Sequence, residues 1–495
     1  MFSKKAKLTG IICFIAFSLL ALRLCYIMAE SGKTYKTMAI NQQKRNVKIK
    51  DIRGEIKDRN GIALTDTERR PLYLLNSGKL SDKKSDAKYF FEFIKREPIT
   101  TKHIIGYTNS DSLGVCGLEK EFDSVLKGGG SVYLEYMADA TGTPVKSFEI
   151  RKETLPTATL DLTIDAEIQK IAEETMDKHI QKGAAVIIDT ETFDVLAMVS
   201  RPDFETKNLE NYSTSTDGEL LNRALMGYNA GSVFKIITAS AALEKNSNYL
   251  QRYFDCQGRY ILNDGSIFGC HASEGHGVLS FSNAFALSCN CCFYVTGLEN
   301  GGLLTTATAR KFGLGSSLLN VNLEESKGNL PKNTKFTQAE NLNLSIGQGE
   351  VLITPLQCAV MAATIANNGI RKDVNLVKGY RSPDGTYKNL TNNSSRRAVK
   401  QSTSLMISQM MRECVLFGTA KSAASSAVSI AGKTGSAESG WSQNGQTMVH
   451  GWFCGFFPYD SPRYAMAVLC ENGKSGADSC VAPFVEIAEK ITKIQ

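Results

Sequence analysis

The sequence is poor in the features that would place it in a specialised class. Cysteine is sparse, thirteen in 495 residues. That is an odd number and far too few for a disulfide-built scaffold, so at least one thiol lacks a partner within the chain. Charge of one sign is not in large excess: 57 Lys and Arg face 50 Asp and Glu, a net +7. Such a mild surplus predicts no nucleic-acid partner, only weak attraction to a negatively charged surface or polymer. No internal repeat and no low-complexity segment is present, which excludes repeat architectures. Hydrophobic residues make up 42% and charged residues 22%, close to globular averages, so wholesale disorder and a polytopic membrane protein are both excluded. What remains is a chain long enough for roughly two to four domains around a sizeable core.

The amino terminus carries the long apolar run. Lys4, Lys5 and Lys7 precede residues 8–22, Arg23 interrupts, and residues 24–29 extend the stretch. As one helix, residues 8–29 would be about 33 Å long, enough to cross the hydrocarbon layer. Arg23 falls near the far end, where its side chain can snorkel to the interface. The lysines hold residues 1–7 in the cytoplasm and send the bulk of the chain outside. Ile27-Met28-Ala29 is a poor match to a signal-peptidase site, and Arg23 spoils a lipoprotein reading of Cys25. The expectation is an uncleaved, single-pass anchor in the cell membrane with an extracytoplasmic body.

Residues 30–158 are basic and broken and read as an extended, strand-rich spacer domain. Residues 42–57 interleave Lys44, Arg45, Lys48, Lys50, Arg53 and Lys57 with Val47, Ile49 and Ile56, a strand with one solvated face, closed by a turn at Asn60-Gly61. The run 81–97 is charged and reads as helical at its end, stopping before Pro98. Gly128-Gly129-Gly130 reads as a flexible turn or linker. From residue 159 the pattern is richer. Residues 160–164 alternate like a strand and Asp165 caps a helix beginning near Ala166. Residues 183–200 read as a hairpin around 190–194, and residues 232–243 as an apolar helix. Residues 427–436 and 449–457 read as strands of one sheet. Together these predict an α+β domain over 159–495.

A nucleophile needs a base, a proton relay and an oxyanion site. Ser-x-x-Lys supplies the first two when it lies on a helix, because residues three apart share a face. It occurs at Ser81, Ser85, Ser124 and Ser232. Only Ser232 follows a turn (Asn229-Ala230-Gly231) and opens an apolar helix. There the backbone N–H groups and the helix dipole favour a developing oxyanion, and burial would push the Lys235 amine toward a usable base. Ser-x-Asn occurs at Ser288-Cys289-Asn290 and at Ser442-Gln443-Asn444, and Lys433-Thr434-Gly435 occurs once. The copy at Ser442 follows the Lys-Thr-Gly and falls out of order.

In that order and spacing, the chain resembles the penicillin-binding proteins and serine β-lactamases, whose signature is Ser-x-x-Lys, Ser-x-Asn and Lys-Thr-Gly. Further matches resemble the class B, high-molecular-mass penicillin-binding proteins. Residues 53–61 (Arg-Gly-Glu-Ile-Lys-Asp-Arg-Asn-Gly) and Gly114-Val115-Cys116-Gly117-Leu118-Glu119 look like their spacer-domain boxes. Asn222-Arg223-Ala224, Gly347-Gln348-Gly349, Thr354-Pro355-Leu356-Gln357 and His450-Gly451-Trp452-Phe453 look like their catalytic-domain flanks. The resemblance implies a penicillin-binding/serine β-lactamase-like fold, an antiparallel sheet covered by helices. It also implies a peptidoglycan D,D-transpeptidase that crosslinks D-Ala-D-Ala stem peptides and is acylated by β-lactams. Ser232 would attack, Lys235 act as base, Ser288 relay a proton to the leaving D-alanine, and Asn290 order Lys235 and substrate. Lys433 and Thr434 would hold the terminal carboxylate, and Gly435 would let the peptide approach an edge strand. Ser232 and Ser436 N–H groups would form the oxyanion hole. Ala230, Val233 and Ser436 stand where the family usually has Pro, Thr and Thr. A polytopic glycosyltransferase of the shape, elongation, division and sporulation (SEDS) group is the implied partner.

Three alternatives share these motifs: a β-lactamase, a D,D-carboxypeptidase, and a non-catalytic scaffold for the partner glycosyltransferase. A lactamase needs a deacylating Glu, and Glu340-Asn341-Leu342-Asn343 is one residue too short for the Glu-x-x-Leu-Asn loop. No cofactor is expected. Cys289, Cys291 and Cys292, with His271 and His276 nearby, invite a metal reading, but they are expected to be small buried apolar side chains with no metal. Cys256 and Cys270 flank a short hairpin and are a candidate disulfide. His103 and His179 read as ordinary surface or packing residues, and His450 as structural support for the third motif.

Overall fold

A computed structural model describes residues 4–65, 68–81, 84, 87–95, 98–109, 111–206, 209–212, 214–443 and 446–494. The chain divides into two compact units. The first comprises Met1–Arg53, Glu68–Lys95 and Gly128–Pro156, the second Gly54–Thr67, Arg96–Lys127 and Thr157–Gln495. The segments 54–67 and 96–127, expected in the spacer, thus belong by their contacts to the second unit.

In the first unit, an apolar helix runs over Lys4–Glu30 with no buried residue. Its mean hydropathy of 2.4 over an 18-residue window suits a membrane span. A three-stranded antiparallel sheet orders Lys44–Asp51, Gly130–Ala138 and Pro144–Thr154 with the middle segment central. Only the 44–51 part of the single strand expected over 42–57 lies here, since Glu55–Lys57 pairs with Thr159–Leu162 in the second unit. The helix expected at the end of 81–97 is instead a strand, Ala87–Lys95, paired with Glu68–Leu75. Its aromatic content explains the difference. Tyr89 and Phe91 pack against Phe148, a placement a pleated surface provides and a solvated helix does not.

The second unit is built on a five-stranded antiparallel sheet of β1 (Gly183–Asp189), β2 (Val195–Arg201), β3 (Ala431–Gln443), β4 (Gln446–Phe457) and β5 (Tyr464–Cys470). Their order is β2-β1-β5-β4-β3. Both faces are covered, which is why β1 and β5 read as continuous apolar runs. Alternate residues of β1 divide between two cores: Ala185 and Ile187 join Phe453, Phe457, Phe484 and Ile487, while Ala184, Val186 and Ile188 join Cys454, Phe456 and Met361. The first core is closed by α1 (Ala166–His179) and by the carboxy-terminal helix Gly476–Lys493. The second is closed by α2 (Lys235–Lys245), α3 (Asn290–Asn300) and α4 (Pro355–Ala366). Asp165 caps α1 as expected, accepting from the Glu167 and Ile168 N–H groups.

Two of the family-like segments, 53–61 and 354–357, act as structural fasteners here. Asp58 accepts from the N–H groups of Asn60, Ile62 and Ala166, placing a carboxylate at the start of α1. Thr354 and Gln357 form a reciprocal capping box that opens α4. Phe453 is fully buried and meets Phe484 edge-on at 4.7 Å. Phe453→Ala is expected to cost about 3–5 kcal/mol, measured as a fall in the urea midpoint with an unchanged m-value.

Candidate active site

Four elements converge at the free edge of β3. Ser232 sits half-exposed in the 3-10 turn Gly231–Phe234 that leads into α2. Gly231 has φ 55°, and a Cβ there would come within 2.7 Å of the Ser436 carbonyl. Glycine is therefore required for the nucleophile turn to lie against the edge strand. Gly347 fixes the same turn from behind: its carbonyl accepts from the Gly231 N–H at 2.9 Å, and its own Cβ would strike Gly231 O at 2.3 Å.

Lys235, the first residue of α2, is fully buried. Its Nζ donates to the Ser288 carbonyl at 2.7 Å and to Asn290 Oδ1 at 2.7 Å, and lies 3.2 Å from Ser288 Oγ. Loss of solvation, followed by repulsion from Lys433, lowers its pKa to about 7. A neutral amine has two hydrogens, which the two short bonds use, so its lone pair is left for a hydroxyl proton. Ser288 itself is buried, with φ 55°, and Cys289 is the N-cap of α3.

Lys433 on β3 is also fully buried, and its Nζ donates to the Thr434 carbonyl at 2.9 Å. Among the described residues no carboxylate pairs with it. Burial lowers its pKa; in its protonated form it is a desolvated cation with spare hydrogens, suited to an incoming carboxylate. The Thr434 hydroxyl bonds that of Thr419. Gly435 faces the turn, where a Cβ would lie 3.0 Å from Val233 Cγ1. The Ser436 hydroxyl accepts from the Gly476 N–H at 3.2 Å.

The residues expected together on sequence therefore share one site. Thr419 and a supporting network around Glu471 were not found by sequence reading. Glu471 Oε1 accepts from Arg223 Nε at 2.8 Å and from the Tyr228 hydroxyl at 2.6 Å. Trp452 Nε1 donates to Asn229 O at 3.0 Å. This network pins the 223–229 segment that leads into Ser232. His450 is half-buried, its ring edge-on to Tyr228 at 5.4 Å, and its buried Nδ1 has no hydrogen-bond partner among the described residues. Neither Thr419 nor Glu471 belongs to a motif, and no local signal marks them.

The other candidates lie elsewhere. Ser81 ends a two-residue strand of the first unit and Ser124 is in the short helix Asp123–Leu126. Ser85 and Asn444 of the second Ser-x-Asn lie outside the described residues. Glu340 is exposed and serves as a cap, accepting from the Thr337 N–H at 2.7 Å and from Asn333 at 3.1 Å. Cys256 and Cys270 are not disulfide-bonded: both are free thiols. Their Sγ atoms lie 3.5 and 3.6 Å from His276 Nδ1.

Residues 183–493 match the model of the penicillin binding protein transpeptidase domain. The chain is 31% identical over 400 residues to the peptidoglycan D,D-transpeptidase PbpA of Mycolicibacterium smegmatis, covering 76% of this chain and 77% of that one. It is 27% identical over 529 aligned positions to stage V sporulation protein D of Bacillus subtilis, covering 93% and 80%. Among solved structures, penicillin binding protein 3 of Mycobacterium tuberculosis, complexed with aztreonam, superposes with a TM-score of 0.71 at 24% identity, over 91% of this chain and 97% of that one.

Proposed function

The chain belongs to the penicillin-binding protein transpeptidase family, as a class B member, and from that premise we propose a serine acyl-enzyme mechanism for its peptidoglycan D,D-transpeptidase activity. The observation that carries this reading is the buried Lys235 amine, held by Ser288 and Asn290 at the start of the Ser232 helix. Ser232 Oγ attacks the carbonyl of the penultimate D-alanine while Lys235 Nζ takes its proton. Negative charge on the carbonyl oxygen is met by the Ser232 and Ser436 N–H groups. The proton passes through Ser288 to the departing D-alanine nitrogen, the C–N bond breaks, and the peptide is left as an ester. An amine from a neighbouring stem attacks the ester, returns the proton to the serine oxygen, and closes the crosslink.

Lys433 and Thr434 receive the terminal carboxylate, for which the buried ammonium, with no carboxylate partner among the described residues, is suited. Gly435 and the open edge of β3 accept the stem peptide as an added strand. β-Lactams follow the same route and stop at the ester. The anchor over residues 8–29 puts residues 1–7 in the cytoplasm and the rest outside, with a spacer within 30–158, of which 54–67 and 96–127 pack with the catalytic domain over 159–495. A SEDS-group glycosyltransferase supplies the strands that are crosslinked. The β-lactamase alternative loses its candidate base, because the Glu340 carboxylate caps its own helix.

Exchange of labelled D-alanine into a stem pentapeptide tests the reading with the full-length chain in detergent. Exchange is expected for the wild type and none for Ser232→Ala. Equal exchange by both would remove Ser232 from the mechanism.

A further inference from the structure

We propose that Thr419 is a positioning residue of the carboxylate receptor. Its hydroxyl, backed by the Cys414 thiol, donates to the Thr434 hydroxyl and so turns the Thr434 hydrogen toward the substrate's terminal carboxylate. The proposal rests on the reading of Lys433 and Thr434 as that receptor. Thr419 Oγ1 lies 2.5 Å from Thr434 Oγ1 and 3.3 Å from Cys414 Sγ. A hydroxyl has one hydrogen to give and two lone pairs with which to accept. When Thr434 spends its hydrogen on a carboxylate, its contact with Thr419 remains a hydrogen bond only if Thr419 donates. Thr419 then has no hydrogen for Cys414, so the thiol, a weak donor, gives to Thr419. The result is a one-way chain from Cys414 through Thr419 and Thr434 to the carboxylate, in which each bond polarises the next. It ends on a charge, where hydrogen bonds are strongest.

The surroundings of Thr419 hold it firmly enough to keep that direction. It follows the helix Gln401–Leu416, which is tied to the segments of both neighbouring motifs. Arg412 Nη1 donates to the Ile430 carbonyl at 2.7 Å, just before β3. Glu413 accepts from the Ser282 hydroxyl on the helix Phe281–Ala286. Beyond the helix the chain turns back, with the Ala420 N–H donating to the Cys414 carbonyl at 3.1 Å and the Thr419 N–H to the Ala286 carbonyl at 3.1 Å. Gly418 permits that approach, because a Cβ there would lie 2.2 Å from the Ala286 carbonyl oxygen. Ala286 stands two residues before Ser288. One short turn therefore rests its backbone on the Ser-x-Asn segment and its hydroxyl on the Lys-Thr-Gly strand. Cys414 is fully buried, so at its closed end the chain meets no competing water.

The test is a double-mutant cycle on the full-length chain in detergent, read with two substrates: a stem-peptide analogue ending in a carboxylate, and its terminal amide. Thr419→Val keeps the shape and removes the hydroxyl. It is expected to lower kcat/KM for the acid by about 10-fold or more, the worth of a hydrogen bond to a charged group. For the amide the loss should be under about threefold, since a neutral acceptor holds the chain about half as strongly. Thr419→Ser should return the acid to within about threefold of the wild type. In a Thr434→Val background, Thr419→Val should cost nothing further, because it acts only through Thr434. Should Thr419→Val fail to fold, Thr419→Ala is read in the same way. Equal losses with acid and amide, or an undiminished loss in the Thr434→Val background, would overturn the proposal and make Thr419 a purely structural residue. Failure of the receptor reading looks different: Thr434→Val alone would then lose nothing with the acid, which overturns both.

Discussion

Lys235→Met is expected to lower the rate of acylation by benzylpenicillin by about 10²–10⁴-fold, the range a positioned general base supplies, while the folded state persists. The argument rests on burial and bonding together. The Nζ has no solvent contact and uses two hydrogens on Ser288 O and Asn290 Oδ1, so only its lone pair can serve the Ser232 proton. Methionine fills a similar volume and removes the lone pair. It leaves two acceptors unpaired, at about 1–3 kcal/mol each, a cost the unfolding midpoint will register separately from the rate. The wild type carries a matching pH signature. With the Lys235 pKa held near about 7 by burial and by Lys433, the free amine is the minor form below that pH and the major form above it. The acylation rate should fall roughly tenfold per pH unit on the acid side and level off on the alkaline side. Stopped-flow acylation between mildly acidic and mildly alkaline pH checks this, and a flat profile would remove the free amine from the rate-limiting step.

Lys433→Ala is the second large effect, and it should be selective. The buried ammonium donates to Thr434 O and has no acidic partner among the described residues, so a ligand carboxylate completes it. Loss of a charge-assisted contact in a desolvated site is worth roughly 2–5 kcal/mol, or about 30- to 4,000-fold in kcat/KM at roughly 1.4 kcal/mol per tenfold. A stem-peptide analogue with a terminal amide lacks the charge, so it should react slowly with the wild type and lose little more with the variant. Comparing kcat/KM for acid and amide analogues with both proteins gives the coupling directly. An equal loss with both would make Lys433 a structural residue rather than a carboxylate receptor.

How much of this was legible beforehand depended on how local each signal was. Asp165 as the α1 cap, the hairpin turning between β1 and β2, and the pairing of β3 with β4 follow from neighbours in sequence, and all are present. Ser232 stood out from Ser81, Ser85 and Ser124 because a turn and an apolar helix flank it. The strand Ala87–Lys95 was misread because its charges were weighed above its aromatics, which a partner strand and Phe148 decide. The Cys256–Cys270 pairing was expected because the groups that share their neighbourhood, His276 and Cys289, come from loops that only folding brings in, and both thiols are free. Glu471 and Thr419 were invisible because each acts on a motif more than ten positions away along the chain. A single sequence shows motifs and caps. It does not show which side chain completes a buried charge.

The most direct test of the account is intact-mass analysis of the full-length chain after incubation with benzylpenicillin, with Ser232→Ala alongside. The account predicts a stable mass increase of one opened penicillin on the wild type, mapped to the peptide containing Ser232, and none on the variant. Rapid hydrolysis of the drug without an adduct, or an adduct of equal yield on Ser232→Ala, would contradict it.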